Sequence, residues 1–260
     1  MKYEGIFRGP RLWSNDELKK FAHLFRGSVV NVSAWRDLDK SVRSYGEYIL
    51  GDCDAGVPYR SYFVNADSYS ITNYPIDANK GGAAPDVLDE DAYASIIGLD
   101  LEQDLPDDLV EKFDVVFSHT VLEHVFDVTK AFANLCSMSK DVVILVLPFI
   151  QMVHDIRGNY RDYWRFTPFA LDRLFEANGY TVLHRAASDL KHASIYYFYI
   201  ASRCPDKWRE HFRPEPLESQ VPNLNTGGNV FPLAKMHLRL EAMLRKGARL
   251  LRLNHGGCPK

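Results

Sequence analysis

The stretch DVVILVLPF, residues 141–149, constrains the fold more than any other part of this sequence. Its apolar residues run almost without interruption, so both faces of the segment must be buried. The run is too short to cross a membrane as a helix, and its β-branched residues favour a strand. A strand covered on both faces is typical of a parallel sheet that has helices on either side.

Strand-like and helical segments alternate along most of the chain. Further strands are predicted at residues 28–35, 69–73, 95–101 and 113–119, and a closing antiparallel pair at 180–188 and 193–203. This alternation indicates βαβ crossovers. We therefore predict an α/β fold with a doubly wound, mostly parallel sheet, an antiparallel closing strand and a C-terminal helical extension.

Three helices are predicted between these strands. Ser14 and Glu17 form a capping box that starts the first helix, which is expected to end at Gly27. The second helix covers residues 128–138, where apolar residues recur at helical spacing. The third covers residues 169–179, after Thr167 as N-cap and Pro168 in the first turn, and it ends at Gly179.

Ligands of doubly wound sheets bind beyond the carboxyl ends of the strands. In this chain the strand ends are expected near Trp35, Asn73, Asp100, Ser118–His119 and Pro148–His154. These positions should converge on one site if the topology is correct.

Composition excludes several classes of protein. The net charge of −3 provides no positive field for nucleic acid, so no nucleic-acid partner is expected. The four cysteines have no Cys-x-x-Cys spacing, which favours reduced thiols in the cytoplasm over disulfides or a zinc site. The stretch MKYEGIFRGPRLW lacks the apolar core of a signal peptide.

The C-terminal part of the chain differs from the rest. We predict a domain over residues 1–202, followed over 203–260 by an irregular linker and an amphipathic helix at 229–255 with clustered Lys and Arg. Such a helix can bind a membrane surface or a partner. Docking on the domain, or on a second copy in a homodimer, is the favoured interpretation.

Two segments carry a resemblance to a known family. LDLEQDLPDDLVEKFDVVFSHTVLEHV (99–125) contains an Asp-x-x-x-x-Leu-Pro turn, a Phe-Asp-x-Val strand and Leu-Glu-His-Val, and residues 147–180 contain Asp-Tyr-Trp-Arg-Phe-Thr-Pro. Both resemble class I S-adenosylmethionine-dependent methyltransferases, in a branch linked to sugar and cell-surface glycan modification. The resemblance extends over residues 25–200 and implies a Rossmann-like methyltransferase fold.

The resemblance is weakest where it would place the cofactor. The family has an acid and then glycines after its first strand, whereas this chain has Asn31 in place of the acid, and Ser33, Trp35 and Asp37 in place of glycines. Glycine lets the backbone approach a ligand closely, and a tryptophan ring there would crowd it. This degenerate glycine motif implies weakened, altered or absent cofactor binding.

Other positions keep the family pattern in part. Asn73 stands where an acid usually accepts the ribose hydroxyls, Asp100 can accept from the adenine amine, and Leu101 would pack on the ring. The residues predicted to bind S-adenosylmethionine are Asn31, Ser33, Asn73, Asp100, Leu101 and Ser118.

Glu123 and His124 directly follow a predicted strand, and three interpretations are open. Glu123 can cap the next helix while His124 packs beside it. Alternatively, ubiquinone and small-RNA methyltransferases bind a metal through Glu-x-x-Glu-His at this place. Here Thr120 replaces the first Glu, but His154 could complete a Glu-His-His set for magnesium or manganese. Finally, His124 or His154 could be a general base.

An arginine-rich and aromatic stretch follows His154. Arginine side chains bind carboxylates, phosphates and sugar hydroxyls, and aromatic faces stack on sugar rings. The residues predicted to bind the acceptor are Arg157, Arg161, Tyr163 and Arg165. Trp164 and Phe166 are expected to pack the segment onto the sheet, and His119 to be a packing residue.

These patterns lead to one function and two alternatives. The favoured function is an S-adenosylmethionine-dependent O-methyltransferase that acts on a hydroxyl of a sugar or glycan precursor, with His154 and His124 as candidate bases. The first alternative is a methyltransferase fold that has lost catalysis and serves as a binding or scaffolding partner. The second is an enzyme that binds another ligand in the same cleft, with a metal on Glu123, His124 and His154.

Overall fold

The structure is a computed structural model that describes residues 4–34, 37–39, 56–74, 93–151, 153, 161–188, 195–213 and 215–217, with side chains from residue 11 onward. The chain divides into two compact units, Met1–Val221 and Pro222–Lys260. All described residues belong to the first unit. Trp35, His154, Arg157 and the predicted helix at 229–255 lie outside the described residues.

One seven-stranded sheet organises the described part of the chain. Its strands are β1 (Gly27–Val32), β2 (Ala66–Asn73), β3 (Ile96–Gly98), β4 (Phe113–His119), β5 (Ser139–Ile150), β6 (Thr181–Ala187) and β7 (Ile195–Ser202). Their order is β3-β2-β1-β4-β5-β7-β6. The first five strands are parallel to their neighbours, and β7 is antiparallel to both β5 and β6. The predicted doubly wound, mostly parallel Rossmann-like sheet with an antiparallel closing pair is confirmed.

The centre of the sheet is buried on both faces, as the apolar run of β5 predicts. Residues 142–147 are all fully buried in the structure. One core contains Val29, Phe117, Ile144 and Phe198 from four neighbouring strands, and Leu18 packs against it from α1 (Glu4–Phe21). This helix therefore covers one face of the sheet.

The start of the first helix was predicted wrongly. Ser14 lies inside α1 and does not cap it, because its side chain is buried and donates to the Arg11 carbonyl at 2.8 Å. The helix ends at Phe21, and Ala22–Leu24 forms a 3-10 turn. Packing of α1 on the sheet outweighs the local capping pattern.

The other two helices agree with the sequence. The second, α2 (Val128–Met138), has the predicted bounds. The third, α3 (Pro168–Ala177), begins after Thr167, whose hydroxyl accepts from the Ala170 amide at 3.2 Å. None of the described helices is long and apolar enough to span a membrane.

Two glycines with positive φ provide a matched test of packing. Gly27 has φ 81° and Gly179 has φ 77°. A Cβ at Gly27 would lie 2.3 Å from Asp114 Oδ2, whereas a Cβ at Gly179 would meet nothing within 4 Å. Asp114 Oδ2 cannot yield easily, because it accepts from both the amide and the hydroxyl of Ser28 at 2.7 Å.

We therefore expect Gly179→Ala to lower the free energy of unfolding by about 1 kcal/mol, the cost of left-handed backbone strain alone. Gly27→Ala should lower it by about 3 kcal/mol, because the clash adds to that strain. Urea denaturation of both variants measures the difference. Equal losses would contradict the packing described at Gly27.

Candidate functional site

The carboxyl ends of the parallel strands gather most of the predicted site residues at one edge of the sheet. The chain leaves β1 and β4 there in strained conformations: Ser33 has φ 55°, Asp37 has φ 49° and Thr120 has φ 54°. Left-handed backbone costs a non-glycine residue about 1 kcal/mol. Strain of this kind clusters at functional sites. Ser33 and Asp37, which stand where the resembled family has glycines, thus keep a glycine-like backbone.

Asp37 holds the segment after β1. Its buried carboxylate accepts from Asn31 Nδ2 at 2.7 Å, from the Tyr69 hydroxyl at 2.9 Å and from the Tyr93 hydroxyl at 3.1 Å. Burial raises the pKa of Asp37, and the hydrogen bonds oppose that rise. The Asn31 amide is therefore committed to Asp37, and it anchors the loop from within.

The ends of β1 and β2 are tied to each other. The Ser33 amide donates to Thr72 Oγ1 at 3.0 Å, and the Ala34 amide donates to the Thr72 carbonyl at 2.9 Å. Asn73, the last residue of β2, is buried, and its carbonyl accepts from the Leu99 amide at 2.9 Å. Ser33 and Asn73 thus lie at neighbouring strand ends, as the sequence predicts.

Asp100 and Leu101 form a turn just beyond β3. Asp100 Oδ1 accepts from the Glu102 amide at 2.9 Å, and the buried Leu101 presents its carbonyl to Asn134 Nδ2 at 2.9 Å. Asn134 lies on α2 and fixes this turn from below. Ser118 is buried within β4, next to its last residue.

His119 links β4 to α1 by a chain of hydrogen bonds with one direction. The Ser14 hydroxyl donates to the Arg11 carbonyl, so it must accept from His119 Nε2 at 2.9 Å. His119 Nδ1 then accepts from the Thr120 hydroxyl at 3.1 Å, and Thr120 Oγ1 accepts from Arg11 Nη2 at 3.3 Å. Burial, reinforced by the Arg11 charge, holds the pKa of His119 well below its usual value. His119 is a neutral packing residue, as expected.

Glu123 is the most unusual group at this edge. The side chain is 1% exposed, yet neither carboxyl oxygen accepts a hydrogen bond from another described residue. Burial raises the pKa of Glu123 to about 8, and the opposing charges of Arg165 and Arg11 are too weak to reverse it. Glu123 is not the cap of α2, because Asp127 accepts from the Lys130 amide there at 3.2 Å. The capping interpretation is therefore wrong.

His124 has a defined tautomer. Its Nδ1 lies 2.8 Å from the Arg161 carbonyl oxygen, which can only accept, so Nδ1 carries the proton. In the neutral imidazole Nε2 then carries the lone pair, and it lies 3.7 Å from Glu123 Oε1. No group of three or more potential metal ligands occurs within the described residues. His154, the third predicted ligand and a candidate base, lies outside them.

The segment after residue 160 packs directly on Glu123. The amides of Tyr163 and Trp164 donate to the Glu123 carbonyl at 2.7 and 3.2 Å. The Trp164 ring is partly exposed and donates through Nε1 to the Phe126 carbonyl at 3.1 Å, while the Tyr163 ring meets Phe126 edge-on at 5.4 Å. These three aromatic residues form an exposed patch beside the site.

The predicted acceptor residues differ in what they contact. Arg165 makes a bidentate ion pair with the buried Asp162, with both N–O distances 2.5 Å, so it braces this segment. Arg161 is exposed and contributes its carbonyl to His124. Phe166 is buried, as expected for packing. Tyr163 is exposed and lies in the aromatic patch.

Sequence reasoning missed two residues of this edge. Arg11 reaches it from α1, and Tyr196 of β7 is buried there with its hydroxyl donating to Gln151 Oε1 at 3.0 Å. Arg11 and Thr120 are 109 positions apart in the chain, so no local pattern signals their contact. The strong apolar pattern of β7 likewise gave no sign of a polar role.

Known proteins resemble this chain only remotely. No family model matches the sequence, and no match is found among curated proteins. A magnesium protoporphyrin IX methyltransferase from Synechocystis, solved with bound SAM, is 11% identical, with a TM-score of 0.46, covering 75% of this chain and 79% of that one.

Two further solved structures are S-adenosylmethionine-dependent methyltransferases. The one from Clostridium acetobutylicum is 8% identical, with a TM-score of 0.47, covering 77% of this chain and 95% of that one. The one from Mesorhizobium loti is 12% identical, with a TM-score of 0.48, covering 75% and 99%. Likeness of architecture does not define a reaction.

Glu123 should make stability depend on pH. Because its folded-state pKa is about 8, against a usual value of 4.5, the folded protein keeps a proton that the unfolded chain loses. Stability therefore falls as pH rises through this window. We expect Glu123→Gln to match the wild type at pH 5 and to exceed it at pH 8 by on the order of 3 kcal/mol. A loss of stability at pH 8 would indicate an ionised, paired Glu123.

His119 should act in the opposite direction. Its pKa is lowered on folding, so its contribution is present above pH 6.5, the usual value, and is lost as pH falls below it. We expect His119→Asn to be less stable at pH 7.5 by about 2 kcal/mol, because hydrogen bonds are lost. The variant should also lose less stability than the wild type between pH 6.5 and pH 5. Parallel pH curves in urea denaturation would contradict this account.

Proposed function

We propose that this protein is an S-adenosylmethionine-dependent O-methyltransferase that acts on a hydroxyl of a sugar or glycan precursor. The observation that carries the proposal is the position of Glu123 and His124 just beyond β4, with the lone pair of His124 fixed on Nε2. The sequence resemblance supplies the reaction class and the acceptor class.

The residues at this edge suit such a reaction. The cofactor, when bound, supplies an electrophilic methyl group on a sulfonium centre. His124 Nε2 would take the proton that the acceptor hydroxyl loses as its oxygen forms the new bond to carbon. The resulting imidazolium would lie 3.7 Å from the Glu123 carboxyl, and that proximity favours the positive charge once Glu123 ionises.

The proposed cofactor residues fit that ligand in part. Asp100 presents a carboxylate just beyond β3, and its turn is held by the Glu102 amide. Ser33 and Asp37 keep the left-handed backbone that glycine adopts in such a turn, although both carry a side chain. Asn31, however, is committed to Asp37 and would position the loop without touching the cofactor.

A divalent metal remains a variant of the proposal. Glu123 and His124 would provide two ligands, and His154 would provide the third. Magnesium or manganese would then hold the acceptor hydroxyl and favour the ionised form of Glu123.

The alternative is a binding or scaffolding protein without catalysis. The hydrogen bond from the Asn31 amide to the Asp37 carboxylate favours it, because this bond occupies polar groups that a cofactor could otherwise use. Binding of the cofactor separates the two functions.

The experiment is calorimetric titration with S-adenosylmethionine and S-adenosylhomocysteine, with and without magnesium or manganese. We expect micromolar binding by the wild type. Asp100→Asn should weaken it about tenfold, because a charged acceptor is lost while an amide oxygen can still accept from Glu102. Asp108→Asn is the matched control, since Asp108 is exposed and, in the described part of the chain, pairs with Lys112 at 3.7 Å.

Methyl transfer is then measured as release of S-adenosylhomocysteine with a panel of monosaccharides, sugar nucleotides and oligosaccharides. His124→Asn keeps a donor for the Arg161 carbonyl and removes the base, so transfer should fall while cofactor binding persists. Absence of binding to both cofactor forms in every condition would reject the enzyme and leave the scaffolding protein.

A further inference from the structure

Arg11 lies at the edge where the proposed reaction occurs, and no carboxylate of the described residues pairs with it. Its guanidinium makes one hydrogen bond, to Thr120 Oγ1 at 3.3 Å, and no ion pair with any described residue. We propose that Arg11 binds an anionic group of a ligand, a carboxylate or a phosphate, beyond the end of β4. The inference rests on the proposed function and identifies what that site recognises.

The position of Arg11 is set by the fold. Helix α1 packs on the sheet through the buried Ser14 and Leu18, and Thr120 is anchored by its amide, which donates to the Val146 carbonyl at 2.8 Å. Since Arg11 bonds to Thr120, its guanidinium is held just past β4. Thr120 precedes Glu123 by three positions in the chain. This is the edge where ligands of doubly wound sheets bind.

The charge of Arg11 reaches several buried groups. Burial dominates the pKa of each, and the positive charge of Arg11 lowers the pKa of Tyr59, His119, Glu123 and Tyr196. These side chains come from β4, β7 and the neighbouring 3-10 turns. Its bond to Thr120 Oγ1 places the Arg11 guanidinium beside the His119 ring, because Thr120 Oγ1 also bonds to His119 Nδ1.

Several other arginines of this protein pair with a carboxylate. A carboxylate lies within ion-pair distance of Arg165, Arg173, Arg185, Arg203 and Arg209. Arg165, which lies at the same edge, is fully neutralised by Asp162. Arg11 makes no ion pair with Glu123, whose ion pair among the described residues is with His124. Among the described residues no carboxylate lies within ion-pair distance of the Arg11 guanidinium, and an anionic ligand would balance its charge.

The anion has two sources within the proposed reaction. It can be the carboxylate at the amino-acid end of the cofactor, or an acidic group on the acceptor, such as a uronic acid carboxylate or a sugar phosphate. Both present the same chemistry to a guanidinium.

The test compares the wild type with Arg11→Gln, which removes the charge, and Arg11→Lys, which retains it. Arg173→Gln is the matched control, because it removes an exposed arginine that, among the described residues, pairs with Glu176 on the same helix. Thermal unfolding without ligand confirms that each variant is folded. Calorimetry then measures the binding of inorganic phosphate, of S-adenosylhomocysteine and of 5′-methylthioadenosine, which lacks the amino-acid end.

Glucuronate, glucose 6-phosphate and neutral glucose are titrated in the presence of S-adenosylhomocysteine. Arg11→Gln should weaken binding of the relevant anion by about ten- to a hundredfold, the contribution of a charge-assisted hydrogen bond. Arg11→Lys should recover part of that affinity. Loss confined to S-adenosylhomocysteine, with methylthioadenosine unchanged, identifies the cofactor carboxylate. Loss confined to the acidic sugars identifies the acceptor.

Equal binding of every anion by wild type and Arg11→Gln overturns the inference. If the wild type binds no S-adenosylhomocysteine, the proposed function fails separately. Phosphate then decides: binding that Arg11→Gln loses and Arg173→Gln keeps supports the anion site, and binding that is absent or unchanged rejects it.

Discussion

The parallel pairing of β4 between β1 and β5 is the constraint on which the site depends. Phe117 lies opposite both Asn31 and Ile144, and His119 lies opposite Val146. Because the three strands run in the same direction, their carboxyl ends reach the same edge. The Thr120 amide extends this register by one bond to Val146. That bond turns the chain so that residues 120–124 lie across the end of the sheet.

Two buried acids at this edge, Asp37 and Glu123, differ in the hydrogen bonds that their carboxyl groups accept. Burial raises the pKa of both Asp37 and Glu123. Hydrogen bonds from Asn31, Tyr69 and Tyr93 offset the cost of burying the Asp37 carboxylate, and they fix the loop after β1. The carboxyl oxygens of Glu123 accept no hydrogen bond from another described residue. A buried acid with a raised pKa and so few bonds is a candidate for a role in binding or catalysis.

The parts of the fold that follow local patterns were predictable. The apolar run of β5, the helical spacing of α2 and the cap of α3 depend on residues close in sequence, and the structure agrees with them. The start of α1 was not predictable, because Ser14 is held by His119, 105 positions away. Asp37 was interpreted only as a departure from the expected glycine pattern. Its side-chain hydrogen bonds offset the left-handed strain, and no local pattern reveals such compensation.

Hydrogen bonds hold the main chain of Glu123, whereas its carboxyl oxygens accept none from another described residue. The amides of Tyr163 and Trp164 hold its carbonyl, and Arg165 braces their segment through Asp162. None of these contacts uses a carboxyl oxygen of Glu123. The main-chain contacts therefore position Glu123, and they leave its carboxyl group available to bind a proton, a ligand or a cation. Such preorganisation is what a reacting site requires, because a group held in place pays little further entropy when the ligand arrives.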